Sequence, residues 1–413
     1  MRITLCQLNS VMGDIAGNTR MIAGALARVA AEKPDLVVFT EMFIQGYPPR
    51  DLLERKSFVR RGQAALGEIL ALSKSHPSTG ILVGTAAPNS DRPGKGLSNA
   101  AVLIHDGRVV FRQDKSLLPT YDIFDEARYF DPARTTGVVE FRGERLGITI
   151  CEDAWNHADM MPRRQYAQDP VEKLASMGAT LIVNIAASPF HAHKERLRFE
   201  IMQRHAVTRR LPFVFVNQVG GNDDLVFDGG SMVLDSQGRL RAHLGAFCER
   251  VLTVDTGALG PELPAPEPAA EASVYDALVL GTRDYVRKCG FTRAFAGLSG
   301  GIDSALVACI ASAAVGPENV TGVTMPSRYS SRGSIEDSRT LARNLGIEFR
   351  EIDVVQEPQA MEFLRSQGHR TIPQIYWDGR LFVSGGWQGL RKMSRDDILT
   401  AIEILETRSL GTL

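Results

Sequence analysis

The strongest constraint on the fold of this chain is a set of short apolar segments, several of them apolar at every position. They occupy residues 3–8, 36–39, 81–84, 101–104, 146–150, 180–185, 213–216 and 231–234. A strand of this kind has no polar face to turn towards water, so both of its faces must be covered. Helical patterns lie between these segments, for example over residues 18–31, with Asn18 as the expected N-cap. A layered α/β fold is therefore expected for residues 1–256.

A proline-rich stretch interrupts this pattern. Residues 260–270, GPELPAPEPAA, contain four prolines and no periodicity, which is typical of an extended linker. After it, the spacing predicts a helix over residues 273–289, with Ser273 as its N-cap. Strands then alternate with helices, the strands being at 293–296, 320–325 and 348–353 and the helices at 305–314 and 334–345. This order is typical of a Rossmann-like parallel sheet, which binds ligands at the carboxyl ends of its strands.

The composition excludes several classes of protein. A hydrophobic fraction of 44% and a charged fraction of 23% are ordinary for a folded chain and exclude general disorder. Lys+Arg 47 against Asp+Glu 48 gives a net charge of -1, so charge provides no argument for a nucleic-acid partner. No apolar run reaches the roughly 18–20 residues of a membrane helix, and the first residues do not have the pattern of a signal peptide. We therefore expect no membrane partner.

The cysteines and histidines do not indicate a disulfide framework or a metal site. The five cysteines are widely spaced and form no C-x-x-C; they are Cys6, Cys151, Cys248, Cys289 and Cys309. Such usage fits a reducing, cytoplasmic location. His191 and His193 are the only close histidine pair, and no third ligand lies near them, so we interpret them as loop or helix-entry residues.

Three reactive side chains lie at the ends of predicted strands. Glu41 follows LVVFT, Lys115 follows residues 109–111 and a short turn, and Cys151 ends the strand in GITICEDAW. A thiolate beside an ammonium can attack a carbonyl carbon, and a carboxylate can carry the proton during amide cleavage. Taken singly, each has a plainer interpretation. Glu41 can be a turn or cap carboxylate, Lys115 a solvated loop charge and Cys151 a small buried thiol.

The strings VVFTEMFIQGYPPRDLL, KSLLPTYDIFDEARYF, GITICEDAW and NIAASPF together resemble the nitrilase (carbon–nitrogen hydrolase) superfamily. More closely, they resemble the glutaminase domain of glutamine-dependent NAD synthetases. This resemblance implies an αββα sandwich with Glu41 as general base, Lys115 as transition-state stabiliser and Cys151 as nucleophile. It also implies that glutamine is held by Tyr121, Ser188 and Lys194, with two acidic residues, Glu126 and Glu152, near the triad.

A second constellation is the glycine- and serine-rich segment GLSGGIDSA, which follows a predicted strand and opens a helix. Glycines let the backbone close around a phosphate at a positive helix N-terminus, and a carboxylate there can hold Mg²⁺. A purely structural turn is the alternative, because the lysine of a Walker loop is absent. The predicted ATP-binding residues are Gly297, Leu298, Ser299, Gly300, Gly301, Ile302, Asp303 and Ser304, with Asp303 as the candidate Mg²⁺ ligand.

SGGIDSA resembles the loop of N-type ATP pyrophosphatases, and MPSRYSSRGSIEDSRTLARNLGI resembles its continuation in NAD synthetases. The resemblance implies that ATP, with Mg²⁺, adenylates nicotinic acid adenine dinucleotide, and that ammonia then displaces AMP to form NAD. It also implies a homo-oligomer, the passage of ammonia between two sites, and a contact of Arg328 with nucleotide.

The last 60 residues change in character. The synthetase segments GT-x-N-K-S-E and Y-G-D do not occur, and residues 346–400 resemble the second half of a glutaredoxin, including Thr371-Ile372-Pro373 and Gly385-Gly386. No cysteine follows Cys309, so this segment is expected to lack thiol–disulfide chemistry. The predicted domains are a glutaminase domain at 1–256, a linker at 257–272, an incomplete synthetase domain at 273–353 and a glutaredoxin-like tail at 354–413.

Three functions stay open from the sequence. The first is a glutamine-dependent NAD synthetase. The second is an orphan glutaminase or amidase whose synthetase domain is too truncated to make NAD. The third is a nucleotide- or glutathione-binding hybrid without catalysis, against which the complete Glu41, Lys115 and Cys151 set argues.

Overall fold

The computed structural model describes residues 1–89, 93–157, 166–267, 269–326 and 330–352, together with the backbone of two strands further along the chain. The chain divides into two compact units, Met1–Thr292 and Arg293–Leu413. Within the described residues, no helix is both long and apolar enough to cross a membrane.

The first unit is built around two six-stranded sheets. The order in one sheet is β14-β1-β2-β3-β4-β5 and in the other β13-β12-β9-β8-β7-β6. The strands of the first sheet are β1 (Arg2–Gln7), β2 (Leu36–Val38), β3 (Gly80–Pro88), β4 (Leu97–His105), β5 (Arg108–Asp114) and β14 (Arg250–Asp255). Those of the second are β6 (Val138–Phe141), β7 (Glu144–Ile150), β8 (Leu181–Ala186), β9 (Phe213–Asn217), β12 (Met232–Leu234) and β13 (Leu240–His243).

Both sheets have the same pattern of strand directions. Three neighbouring strands are parallel and are flanked on one side by a single antiparallel strand. On the other side, an antiparallel strand is followed by an outermost strand that again runs in the direction of the three. Because β5 is antiparallel to β4, and β4 to β3, strand β5 runs in the same direction as β2 and β3. The chain segments that leave β2, β3 and β5 therefore start from the same edge of the first sheet.

Alternate residues of the strands face two different apolar layers. Leu36 and Val38 of β2 share a core with Ile148 and Ile150 of β7 between the two sheets. The residue between them, Val37, belongs to a second core beneath the helices. The helices that cover the outer faces of the two sheets are α1 (Ile15–Val29), α2 (Lys56–Ser73), α4 (Pro170–Ser176) and α5 (Lys194–Arg209). The result is the predicted αββα sandwich, with strands buried on both faces as their composition requires.

The predicted helix at 18–31 is present but begins earlier. Asp14 is the N-cap of α1, and its side chain accepts from the backbone N–H of Gly17. Asn18 was therefore the wrong cap: it lies inside the helix, where its buried amide donates to the carbonyls of Val11 and Ile44. In the sequence, an asparagine that donates to the carbonyls of two loop segments cannot be distinguished from an asparagine that caps a helix.

The helix predicted at 273–289 is α6 (Ala270–Lys288) and lies in the first unit. Its N-cap is Ala269, without a side-chain bond, so the prediction that Ser273 caps it was wrong. The helix packs on the hairpin of β10 (Val219–Asn222) and β11 (Leu225–Asp228). Here Lys288 Nζ donates to Asn9 Oδ1 and the carbonyl of Gly221, each over 2.7 Å, and to Asn222 Oδ1 over 2.8 Å.

The second unit contains a parallel sheet in the order β15-β16-β17, formed by Ala294–Gly297, Val320–Thr324 and Glu348–Glu351. Helices α7 (Ile302–Val315) and α8 (Arg332–Leu345) cover an apolar core that includes Leu298, Ala308 and Ala342. This is the predicted Rossmann-like arrangement, with α7 starting three residues before the predicted 305 because the glycine loop turns directly into the helix.

Short elements complete the described part of the chain. They are α3 (Glu126–Tyr129), the 3₁₀ turns Ala30–Glu32, Arg50–Glu54, Cys151–Ala154 and Pro317–Asn319, and the hairpin of β18 (Gln374–Trp377) with β19 (Arg380–Ser384). Arg328 and the rest of residues 353–413, and with them the glutaredoxin-like assignment, lie outside the described residues.

Candidate active site

Glu41 follows β2 and is fully buried. Its Oε1 atom accepts from Asn99 Nδ2 over 2.7 Å and from Lys115 Nζ over 2.8 Å. Its Oε2 atom accepts from the backbone N–H of Ala187, directly after β8, over 2.9 Å. The carboxylate is thus fixed by groups from both sheets.

Lys115 follows β5 and is 1% exposed. Its Nζ atom lies between two carboxylates, 2.8 Å from Glu41 Oε1 and 2.7 Å from Glu126 Oε1. Burial alone would lower the pKa of Lys115, but the charges of Glu126 and Glu41 raise it well above its ordinary value. Lys115 is therefore a permanent ammonium, and Tyr47 holds Glu126 through a further 2.9 Å hydrogen bond.

Cys151 begins the 3₁₀ turn that follows β7 and has a left-handed φ of 42°. For a residue with a side chain, this conformation costs about 1–3 kcal/mol and must be maintained by its surroundings. The carboxylate of Asp153 accepts from the backbone N–H of Ile150 over 3.0 Å, which closes the turn around Cys151. The backbone conformation of the candidate nucleophile is therefore maintained by a hydrogen bond within its own turn.

The pKa of the Cys151 thiol is well above its ordinary value. Burial is the main cause, the charge of Glu41 raises the pKa further, and Lys115 lowers it by a smaller amount. Burial and Glu41 together outweigh the effect of Lys115 and favour the neutral thiol in the free protein. A buried thiol beside a carboxylate must instead lose its proton as it attacks.

A cavity of about 550 Å³ opens over Cys151. The three residues predicted to hold glutamine, Tyr121, Ser188 and Lys194, all line it, together with Glu152. Glu41 and Lys115 are not among its lining residues but are buried close enough to Cys151 to shift its pKa. The structure therefore brings together six residues that the sequence selected from separate segments.

The charges of this cavity are arranged in two groups. The carboxylate of Glu152 accepts from the phenols of Tyr121 and Tyr166, over 2.9 Å and 3.1 Å. Lys194 lies 5.1 Å from the centre of the Trp155 ring and donates to the carbonyl of Pro189. Burial, and next the charge of Arg198, lowers the pKa of Lys194 to about 8. An anionic and a cationic group in one cleft suit a zwitterionic amino acid.

Sequence reasoning missed several residues of the site. Asp153 stands in the quoted string GITICEDAW without having been assigned a role. Tyr47 likewise stands in the string VVFTEMFIQGYPPRDLL without an assigned role. Asn99 had no signal, since it meets Glu41 and Glu126 only in the fold. Partners of this kind follow from tertiary packing and not from local pattern.

The second candidate site is the loop between β15 and α7. Gly300 has a φ of 80°, and a Cβ there would collide with the backbone of Ser334 at the start of α8. Ser304 Oγ accepts from the backbone N–H of Ser299 over 3.2 Å and donates to the carbonyl of Gly301 over 2.9 Å. This leaves a compact loop at the N-terminus of a 14-residue helix, a suitable position for a phosphate.

Asp303 lies in the first turn of α7, on the exposed side of this loop. The described residues contain no group of three side chains that could hold a metal by themselves. Mg²⁺ commonly uses one or two carboxylates together with substrate phosphates and water. A single carboxylate beside a phosphate loop fits that mode of binding.

Two protein-family models match the chain. A carbon–nitrogen hydrolase model matches residues 2–257, more than half of the chain, and an NAD synthase model matches residues 274–374. The chain belongs to the carbon–nitrogen hydrolase family. The NAD synthase match extends past residue 353, where the sequence pattern had ended the synthetase domain.

Curated relatives of this member of the carbon–nitrogen hydrolase family include glutamine-dependent NAD(+) synthetases. The glutamine-dependent NAD(+) synthetase of Synechocystis sp. is 43% identical over 360 residues, covering 85% of this chain and 64% of the relative. That of Thermotoga maritima is 39% identical over 390 residues, covering 84% of this chain and 64% of the relative. The chain therefore spans 64% of the length of these two relatives.

Solved structures agree with the fold. The glutamine-dependent NAD+ synthetase from Acinetobacter baumannii, in complex with adenosine diphosphate, superposes with a TM-score of 0.78 at 32% identity, covering 88% of this chain and 66% of that chain. An amidase of the nitrilase superfamily from Nesterenkonia superposes with a TM-score of 0.53 at 23% identity, covering 62% of this chain and 90% of that chain. The second comparison supports the carbon–nitrogen hydrolase fold alone.

Proposed function

We propose that the chain is a glutamine-dependent NAD synthetase, in which glutamine hydrolysis supplies ammonia for the ATP-dependent amidation of nicotinic acid adenine dinucleotide. The observation that carries the proposal is the buried Glu41–Lys115–Glu126 network beside a cavity lined by Cys151. The 43% and 39% identity to two glutamine-dependent NAD(+) synthetases supports the second half of the reaction.

The first half-reaction follows from the geometry of the network. The sulfur of Cys151 attacks the side-chain amide carbon of glutamine while Glu41 takes the thiol proton, so no free thiolate is required. The Lys115 ammonium stabilises the oxyanion. The C–N bond then breaks, Glu41 returns the proton to the leaving nitrogen, and ammonia departs from a γ-glutamyl thioester. Water, with Glu41 as base, cleaves the thioester to glutamate.

The substrate is oriented by the two charged groups of the cavity. Lys194 pairs with the α-carboxylate of glutamine, and Tyr121 and Ser188 line the same cleft. Glu152, held by two phenols, is placed to receive the α-ammonium. Buried charges that gain oppositely charged partners from the substrate discriminate against neutral amides.

The second half-reaction is assigned to the loop of residues 297–304. Its backbone N–H groups and the N-terminus of α7 receive the phosphates of ATP, and Asp303 shares Mg²⁺ with them. Bound Mg²⁺ would neutralise charge on the pyrophosphate that leaves as the dinucleotide carboxylate is adenylated. The contact of Arg328 with nucleotide, the assembly into a homo-oligomer and the cytoplasmic location stay predictions.

A second candidate is a glutaminase that does not make NAD. It is the alternative that the sequence left open, and it differs from the proposal in whether the second unit forms NAD. The glutaredoxin-like assignment of residues 354–413 belongs to this alternative and also stays a prediction.

Two assays test the proposal on the full chain. The wild type should release ammonia from glutamine, and Cys151→Ala should abolish this while retaining NAD formation from ATP, Mg²⁺, nicotinic acid adenine dinucleotide and ammonium chloride. Cys6→Ala is the matched control, because Cys6 is also a buried thiol but belongs to the helix-side core. Ammonia release by Cys151→Ala would refute the nucleophile. Absence of NAD with ammonium supplied would establish the second candidate.

A further inference from the structure

The carboxylate of Asp153 connects the two chain segments that carry Cys151 and Lys115. Its Oδ2 atom accepts from the backbone N–H of Ile150, the residue before Cys151, over 3.0 Å. Its Oδ1 atom accepts from the backbone N–H groups of Ser116 and Leu117, the two residues after Lys115, over 2.9 Å and 2.8 Å. One side chain thus holds three donors from the ends of two strands.

These two strands belong to different sheets. Cys151 follows β7 of the second sheet and Lys115 follows β5 of the first. Because β5 and β7 are not paired with each other, the hydrogen bonds of the sheets do not fix the distance between the segments that follow these strands. Asp153 is 1% exposed, so its three hydrogen bonds form where no water competes for them.

We propose that Asp153 is a positioning residue that sets the placement of the Cys151 sulfur relative to the Lys115 ammonium. The inference rests on the proposed glutaminase activity, in which the sulfur and the ammonium must act on the same carbonyl. Asp153 is not among the residues that line the cavity over Cys151. It acts through the peptide that precedes Cys151 and through the peptide that follows Lys115.

The chemistry of the acceptor explains why a carboxylate is needed. Both oxygens of Asp153 accept hydrogen bonds, and they do so from opposite segments. An asparagine has a single acceptor oxygen, and its amide nitrogen would face a backbone N–H. Asp153→Asn therefore breaks one of the two connections and leaves a buried donor without an acceptor.

The test compares Asp153→Asn with Asp235→Asn in the full chain. Asp235 also accepts from two backbone N–H groups, those of Gln237 and Arg239, but within a single turn between β12 and β13. We expect Asp153→Asn to lower kcat for ammonia release about 100-fold, because a 1 Å misplacement has about that effect. The KM for glutamine should stay within about twofold. Asp235→Asn should lower the melting temperature and leave kcat unchanged.

A second readout keeps the inference separate from the proposed function. The rate of Cys151 alkylation by iodoacetamide, followed on the Cys151 peptide by mass spectrometry, requires no glutamine and should fall in Asp153→Asn. A wild type that releases no ammonia would refute the proposed function. The alkylation rate would still test whether Asp153 positions Cys151. Where Asp153→Asn fails to fold, Asp153→Glu, which keeps both oxygens but displaces them, should fold and show the same kcat loss. A lower melting temperature with wild-type kcat and alkylation rate, in whichever variant folds, would overturn the inference.

Discussion

The side-chain amide of Asn99 lies 2.7 Å from Glu41 Oε1, the same oxygen that accepts from the Lys115 ammonium. Its nitrogen also lies 3.5 Å from Glu126 Oε2. Two buried carboxylates so close together repel each other, and burial already raises the pKa of Glu126. Asn99 therefore supplements Lys115 in keeping the two carboxylates in place.

Asn99→Ala removes that donor. We expect kcat for glutamine hydrolysis to fall roughly tenfold, since about 1.4 kcal/mol of lost stabilisation corresponds to this factor. Steady-state ammonia release measures the effect. Asn89→Ala is the matched control, because the buried Asn89 amide likewise donates to a carboxylate, that of Asp131, outside the network. Equal losses of kcat in the two variants would contradict the role of Asn99.

The pKa of Lys194 predicts how substrate affinity depends on pH. Because burial lowers this pKa to about 8, Lys194 is charged below pH 8 and neutral above it. The KM for glutamine should therefore be lowest below pH 8 and rise as the pH increases beyond it. Lys194→Met should raise KM at pH 7 by roughly tenfold or more, since a charge-assisted hydrogen bond contributes about 1.5–3 kcal/mol.

The same variant removes the pH dependence that Lys194 causes. Lys194→Met should show a KM that is high at every pH and changes little between pH 7 and 9. Lys56→Met is the control, because Lys56 is the exposed first residue of another helix, α2. A wild-type pH profile in Lys194→Met would assign the transition near pH 8 to another group.

Lys288 should contribute to the stability of the first unit. Its three acceptors, Asn9 Oδ1, Gly221 O and Asn222 Oδ1, lose their donor in Lys288→Met. We expect the free energy of unfolding to fall by about 1–3 kcal/mol, the usual effect of unsatisfied buried polar groups. Urea denaturation measures it, with Arg287→Met on the exposed side of the same helix as control. Equal losses in both variants would show that the three contacts contribute nothing specific.

Gly300→Ala tests the candidate nucleotide loop. The left-handed φ of 80° and the collision with the Ser334 backbone should force the loop to rearrange, at about 1–3 kcal/mol. We expect the affinity for ATP, measured by calorimetry, to fall at least tenfold. Gly333→Ala is the control, since its added Cβ would lie an ordinary 3.7 Å from Ser331 Oγ. Unchanged ATP affinity in Gly300→Ala would exclude this loop as the phosphate site.

The apolar runs were sufficient to predict the central strands of both sheets, because burial on both faces leaves a continuous signal. Some strands with polar or glycine-rich sequences were not predicted. β10 reads VGGN, for example, and is a strand only because it pairs with β11 in a hairpin covered by α6. In such elements, tertiary packing decides the structure and local sequence does not.

The candidate site likewise contains features that the sequence predicts and others that only the fold determines. Cys151, Glu41 and Lys115 stand at strand ends, where the carboxyl edge of a sheet brings distant residues together, and quoted motifs contain all three. The ionisation state of Cys151 was not predictable, because it depends on how deeply the sulfur is buried and on how many carboxylates surround it. Asn99 and Asp153 act through hydrogen bonds between segments that are remote in sequence.

The attachment of α6 to the β10–β11 hairpin decides where the chain can be divided for experiments. The proline-rich stretch is the obvious place to cut, but a fragment ending there would lose α6 and expose the polar groups that Lys288 and Asp284 cover. A fragment that ends at Thr292 keeps this helix. A fragment made to study the first unit alone should therefore end after the helix, because an earlier end would destabilise it.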